Sequence, residues 1–224
     1  MSNTGKRILM SAFGVIICGI SVGLFKHAAL GVDPFQSLMS GLDAVIPISF
    51  GTLYVIVNLV LLLFSLILDK TKIGLATFIN LFLLGYIAEY SQMLFSKIIP
   101  GPSLFLRIVL LAAAVVIMCL ASAFYFTAKL GVSTYDAVTL IWSEKQSKIP
   151  FSLCRIIGDL ICVILGTLLC LAAGFSVSRI LGVVGIGTII TAFFMGPLIE
   201  FFNVHLARKI LSSNSDTQAG EHKI

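Results

Sequence analysis

The sequence predicts an all-α membrane protein with six transmembrane helices, arranged as two inverted three-helix repeats that each carry an extra short helix. Three observations predict it. Of 224 residues, 58% are hydrophobic and 11% charged, where a soluble domain carries about 25% charged residues. Apolar runs of about 20 residues recur, enough to cross roughly 30 Å of hydrocarbon. The second half of the chain echoes the first at a nearly constant offset.

The first span is expected from Arg7 to Ala28. Lys6 and Arg7 ahead of an apolar run resemble a signal peptide, but further membrane segments follow, so the run reads as an uncleaved first helix. The second span runs from Phe50 to Leu68 and ends at Asp69-Lys70-Thr71-Lys72. The third runs from Ile73 to Phe95, before the breaker Pro100-Gly101-Pro102. The fourth covers Leu104 to Thr127, the fifth Phe151 to Ala173 after Pro150, and the sixth Arg179 to Phe202. Two pieces, Asp33 to Val45 and Ser133 to Gln146, are too short to span and read as re-entrant or interfacial helices. The tail from Ser212 to Ile224 is polar and is expected to be disordered.

Lys and Arg set the orientation. With the N-terminus inside, the inner segments hold Lys6, Arg7, Lys70, Lys72, Lys129, Lys145, Lys148, Arg208 and Lys209, and the outer ones hold Lys26, Lys97, Arg107 and Arg179. Nine against four places both termini in the cytoplasm. The net charge of +5 follows these helix ends and forms no basic stripe with interleaved aromatics, so no nucleic-acid partner is expected.

At an offset of 100, Arg7-Ile8 meets Arg107-Ile108, and Leu30-Gly31-Val32 meets Leu130-Gly131-Val132. At 101, Phe50 meets Phe151 and Asn58 meets Asp159. At 111, Gly74, Thr77, Gly85 and Glu89 meet Gly185, Thr188, Gly196 and Glu200. The offset grows only where loops can absorb residues. Three spans per copy is an odd number, so the second copy must enter from the opposite face, as in secondary transporters built from inverted repeats. The expected units are residues 1–103 with spans 1–3, residues 104–211 with spans 4–6, and the tail 212–224.

Leu30-Gly31-Val32-Asp33-Pro34-Phe35 after the first helix, Gly74-x-x-Thr77, Gly185-Ile186-Gly187-Thr188 and the duplicated layout resemble the bacterial YczE/YyaS/YitT-type integral membrane proteins. The resemblance covers residues 7 to 202. The second copy departs from it, with Thr134 in the place of Pro34. It implies a bacterial inner-membrane protein, multi-pass, that acts as a transporter without a defined substrate.

Candidate functional residues come from polar positions in apolar surroundings. Asp33-Pro34-Phe35-Gln36 reads as a helix start with Asp at the N-cap, Pro at N1 and Gln at N3, and Ser133-Thr134-Tyr135-Asp136 reads likewise. Capping alone explains both. If the short helices dip inward, their N-termini also face a central cavity, with Phe35 and Tyr135 as wall or gate. Asp159 lies roughly 12 Å along its helix, and Arg155, four residues earlier, is its natural partner. The pair is either a structural ion pair or a proton or substrate site in which Asp159 titrates. The candidate substrate-binding residues are Pro34, Phe35, Gln36, Asn58, Asn80, Tyr135, Asp136, Arg155 and Asp159. Glu89 and Glu200 are expected near the interface, and the glycines of the third and sixth spans at close helix contacts.

No metal spacing, P-loop or nucleophile motif is present, so neither a cofactor nor an enzymatic activity is expected. Cys18, Cys119, Cys154, Cys162 and Cys170 read as small buried hydrophobes. The expected function is a secondary transporter or permease of a small polar solute, working by alternating access in the bilayer, with proton coupling at Asp159 as the more specific expectation. The alternatives are a substrate-binding subunit of an energy-coupling-factor type transporter, a passive channel, and a non-transporting membrane scaffold. Oligomeric state is left open.

Overall fold

A computed structural model describes residues 3–146 and 151–209. The expected tail and the Pro150 breaker lie outside the described residues. The first span is α1 (Asn3–Ala28), one turn longer than expected. It is followed by the short α2 (Pro34–Val45), then α3 (Phe50–Leu68), a single 3-10 turn at Lys70–Lys72, and α4 (Leu75–Ile98). The second half holds α5 (Leu104–Thr127), the short α6 (Thr134–Lys145) and α7 (Phe151–Ala172), then α8 (Val177–Val183) and α9 (Ile186–Phe202). Six helical segments are long and apolar enough to cross a membrane. Their outer faces carry large apolar side chains such as Ile67 and Phe105, 82% and 77% exposed, as a surface that faces lipid requires.

The sixth span differs from the expectation. It is not one helix from Arg179 but two, interrupted at Val184-Gly185. The interruption has a local cause. Gly185 is the N-cap of α9 in an extended conformation, and its N–H donates to Thr188 Oγ1 at 3.2 Å. Gly74, 111 positions earlier, caps α4 in the same way, its N–H donating to Thr77 Oγ1 at 3.2 Å. α4 therefore starts at Leu75 rather than Ile73.

Positions related by the offsets of 100 and 111 also make equivalent hydrogen bonds. Gly187 N–H donates to Leu30 O at 2.8 Å, and Ala76 N–H donates to Leu130 O at 2.9 Å. Val32 N–H donates to Val183 O at 3.0 Å, and Val132 N–H to Lys72 O at 3.3 Å. Each Leu-Gly-Val corner thus docks on the helix start of the other half. The corners need glycine: Gly31 and Gly131 have φ of 105° and 106°, in the region that side chains avoid.

The two short helices point towards each other. The C-terminal end of α2 lies near Lys26, at the end of α1, while Glu144 near the end of α6 reaches Lys72, in the 3-10 turn between α3 and α4. They run inward from opposite ends of the bundle and their N-termini meet in the middle, where Phe35 stacks on Tyr135 with centroids 5.0 Å apart. The Lys72–Glu144 contact is 2.6 Å, and that hydrogen bond raises the ammonium pKa.

The two faces are not equally tight, and the sequence says why. On the α2 face, α2 and α7 touch backbone to backbone: a Cβ on Gly41 would lie 2.9 Å from Gly166 Cα. The counterparts in α6 and α3 are Ile141 and Ser65, whose side chains hold those helices further apart. Likewise Gly19 and Gly23 let α1 lie against α4, where a Cβ on Gly23 would sit 2.8 Å from Gln92 N. Their counterparts in α5 are Cys119 and Ala123.

Candidate functional site

One cavity of about 500 Å³ occupies the middle of the bundle, within the 300–1,000 Å³ range of small-molecule sites. Phe35, Gln36, Asn58, Asn80, Tyr135, Asp136, Arg155 and Asp159 all line it. Pro34 does not. It is buried at the first position of α2, where its fixed φ starts the helix. The capping reading holds in detail: Gln36 N–H donates to Asp33 Oδ1 at 3.1 Å, and Asp136 N–H to Ser133 Oγ at 3.0 Å. The caps also line the cavity, so capping and a site are not exclusive here.

Arg155 is the hub of the charged cluster. Its guanidinium forms an ion pair with Asp136, and its Nε lies 3.4 Å from Asp159 Oδ1. Asp159 Oδ1 also accepts the Tyr135 hydroxyl at 2.6 Å. The guanidinium carbon sits 4.8 Å from the Tyr135 ring centroid, close enough for cation–π attraction. Asp159 thus has the partner that its i, i−4 spacing predicts and one further contact, from Tyr135 of α6. Its counterpart Asn58 donates to Tyr54 O at 2.8 Å and accepts the Thr134 hydroxyl. The Tyr54 hydroxyl donates to Asn80 Oδ1 at 3.3 Å.

Sequence reasoning missed Tyr54 and Tyr125, which line the cavity beside the predicted residues. The signal was present for Tyr54, which stands 101 positions before Arg155. Asp33 was read only as a cap. Gly196 does not serve close packing, because nothing lies within 4 Å of the position a Cβ would take; it lines the cavity instead.

The cavity reaches the face that carries α6, where half-exposed Arg155 and exposed Glu200 stand at its rim. On the α2 face a second, separate cavity of about 380 Å³ is lined by Lys26, Asp43, Gln92 and Arg179. Val32 lines this one and the next residue, Asp33, lines the central one. Two contacts fasten the α2 face. Glu89 Oε2 accepts from Gly51 N–H at 2.9 Å, capping α3, so it is not merely solvated at an interface. Arg107 Nε donates to Ala28 O at 2.7 Å, and its Nη2 donates to Ala29 O, capping α1. Their counterparts behave differently. Glu200 accepts from Arg208 Nη2 at 3.3 Å and from Asn203 Nδ2 at 3.1 Å, and Arg7 Nε is buried without a hydrogen-bond partner among the described residues.

Comparison with known proteins places this geometry in a family. The model of a family of unknown function, DUF6198, matches residues 5–204. The uncharacterized protein YyaS of Bacillus subtilis (strain 168) is 27% identical over 211 residues, covering 93% of this chain and 98% of its own. An uncharacterized protein of Haemophilus influenzae is 25% identical over 211 residues, covering 91% of this chain and 86% of its own. No solved structure matches.

Proposed function

The chain belongs to the DUF6198 family, and from that premise we propose that it is a secondary transporter of a small polar solute, working by alternating access. Residues 1–103 and 104–211 act as inverted repeats that rock about the central cavity. The observation that carries this reading is the unequal fastening of equivalent positions. Glu89 and Arg107 cap helices on the closed α2 face, while among the described residues Glu200 is held by Arg208 and Asn203 instead and Arg7 Nε has no hydrogen-bond partner. Closing the α6 face would bring Glu200 to the N-terminus of α7 and Arg7 to the carbonyls that end α5. The same rocking would release Glu89 and Arg107.

The bacterial relatives and the Lys/Arg distribution support an inner-membrane location with both termini cytoplasmic. In that orientation the central cavity faces the cytoplasm. The glycines at 19, 23, 41 and 166 favour this state at rest. The chain carries no ATP-binding motif, so the drive comes from a gradient or from a separate ATPase subunit, of which we take the gradient. Asp159 is the proton-coupling group, surrounded by Tyr135 and Asp136 from α6, Arg155 from its own helix, and Asp33 from the α1–α2 corner.

The test is uptake of a labelled metabolite mixture by proteoliposomes under an imposed pH gradient. The wild type is expected to concentrate at least one solute, and Asp159→Asn to lose the dependence on the gradient while still binding. Uptake that ignores the gradient in the wild type, or an unchanged pH profile in Asp159→Asn, would sink the proton-coupled form. A further expectation concerns the closed face. Glu89→Ala combined with Arg107→Ala removes both fastenings, and a cysteine in the cavity should then become reactive from the α2 side.

A further inference from the structure

The central cavity also selects a chemical class of solute, an inference that rests on the transporter reading above. Its lining holds Asp33, Asp136 and Asp159 against one guanidinium, Arg155; Glu200 stands at its rim, where it is paired with Arg208. Arg155 is engaged by Asp136 and Asp159. Asp33 is left over. Its Oδ1 accepts a backbone N–H, and among the described residues no side-chain cation lies within ion-pair distance of it.

The opposing term is the pair of helix N-termini that meet here. Each contributes about half a positive charge, so α2 and α6 together bring roughly one. Three carboxylates against one guanidinium leave a formal −2, so the lining stays net negative. An anion entering from the α6 face would meet that charge. A neutral solute would leave the Asp33 carboxylate without a cation.

The remaining lining fits a cation with N–H groups and an apolar body. Gln36 is 4% exposed and its Oε1 has no hydrogen-bond partner, and the Tyr125 hydroxyl, on a residue 6% exposed, has none either. Phe35 stacks on Tyr135 and meets Tyr54 edge to face at 6.0 Å, which makes an aromatic wall for an apolar body. Val15, Val22, Leu84 and Met118 complete an apolar wall. We propose that the solute is a small organic ammonium ion, its N–H groups held by Asp33 and Gln36 and its body set along the Phe35, Tyr135 and Tyr54 rings.

The experiment is calorimetric titration of the detergent-purified full chain, at neutral pH, with benzylammonium, benzyl alcohol and benzoate. These probes share one body and differ in charge. Benzylammonium is expected to bind saturably and the other two more weakly. Asp33→Asn preserves a good N-cap, so the fold is retained, while affinity for benzylammonium should fall by about 30-fold or more. Asp43→Asn, on the second cavity, should leave it unchanged. Equal or tighter binding of benzoate or benzyl alcohol would overturn the proposal. So would undiminished binding in Asp33→Asn, or no benzylammonium binding to folded protein. Ammonium binding without flux in proteoliposomes would remove the transporter reading and keep the class; flux of an anion or neutral solute would do the reverse.

Discussion

Arg155→Ala is expected to destabilise the protein by about 3 kcal/mol, the low end of the cost of stripping one partner from a buried ion pair. The substitution leaves Asp136 and Asp159 facing each other without a cation. The side chain of Arg155 is 32% exposed, and water in the cavity screens part of the repulsion, which sets the effect at that low end. Arg155→Lys restores the charge without the planar fork that reaches both carboxylates, so it should recover only part of the loss. Combining Arg155→Ala with Asp136→Asn removes one of the two like charges and should recover more. Thermal unfolding in detergent reads all three. A loss below about 1 kcal/mol for Arg155→Ala is what solvated surface pairs give, and would mean that the cluster is a wet rim rather than the framework of a site.

Gly131→Ala carries the second large effect. At φ 106° a side chain is strained, at about 1–3 kcal/mol. Its Cβ would also lie 2.8 Å from Gly74 Cα, and such overpacking adds about 1–3 kcal/mol. The sum separates the corner from an ordinary turn. Gly101 also has positive φ, at 61°, yet nothing lies within 4 Å of its Cβ position, so Gly101→Ala should cost only about 1 kcal/mol. Gly31→Ala should behave like Gly131→Ala, because its Cβ would meet Gly185 C and Thr188 N at 2.9 Å. Equal melting temperatures for Gly131→Ala and Gly101→Ala would contradict the view that each corner is wedged against the other half.

Much of this was legible in the sequence. Hydropathy and length located the spans because a bilayer leaves a chain few other choices. The caps at Asp33 and Ser133 were legible because N-capping is local chemistry. The offset of 101 placed Asn58 and Asp159 at equivalent sites, and the cavity takes in both. What was not legible depended on contacts between halves. The break at Gly185, capped locally by Thr188, is also held from the other half, where the Leu30 carbonyl accepts Gly187 N–H at 2.8 Å. Hydropathy runs straight across it. Glu89 looked interfacial because its acceptor role depends on Gly51 N–H in another helix. The inequality of the two faces was written in the chain, in Gly41 against Ile141 and Gly166 against Ser65. It carries meaning only once α2 is known to lie on α7.

The most direct test of alternating access asks from which side the central cavity can be reached. Ser122 lines that cavity, so Ser122→Cys in a chain whose native cysteines are replaced reports on it. A membrane-impermeant thiol reagent is applied to intact spheroplasts and to inverted vesicles. The account predicts modification from the cytoplasmic side alone, and from the outside once Glu89→Ala and Arg107→Ala are added. Modification from the outside in the parent chain, or an outer face that stays closed in the double variant, would contradict it.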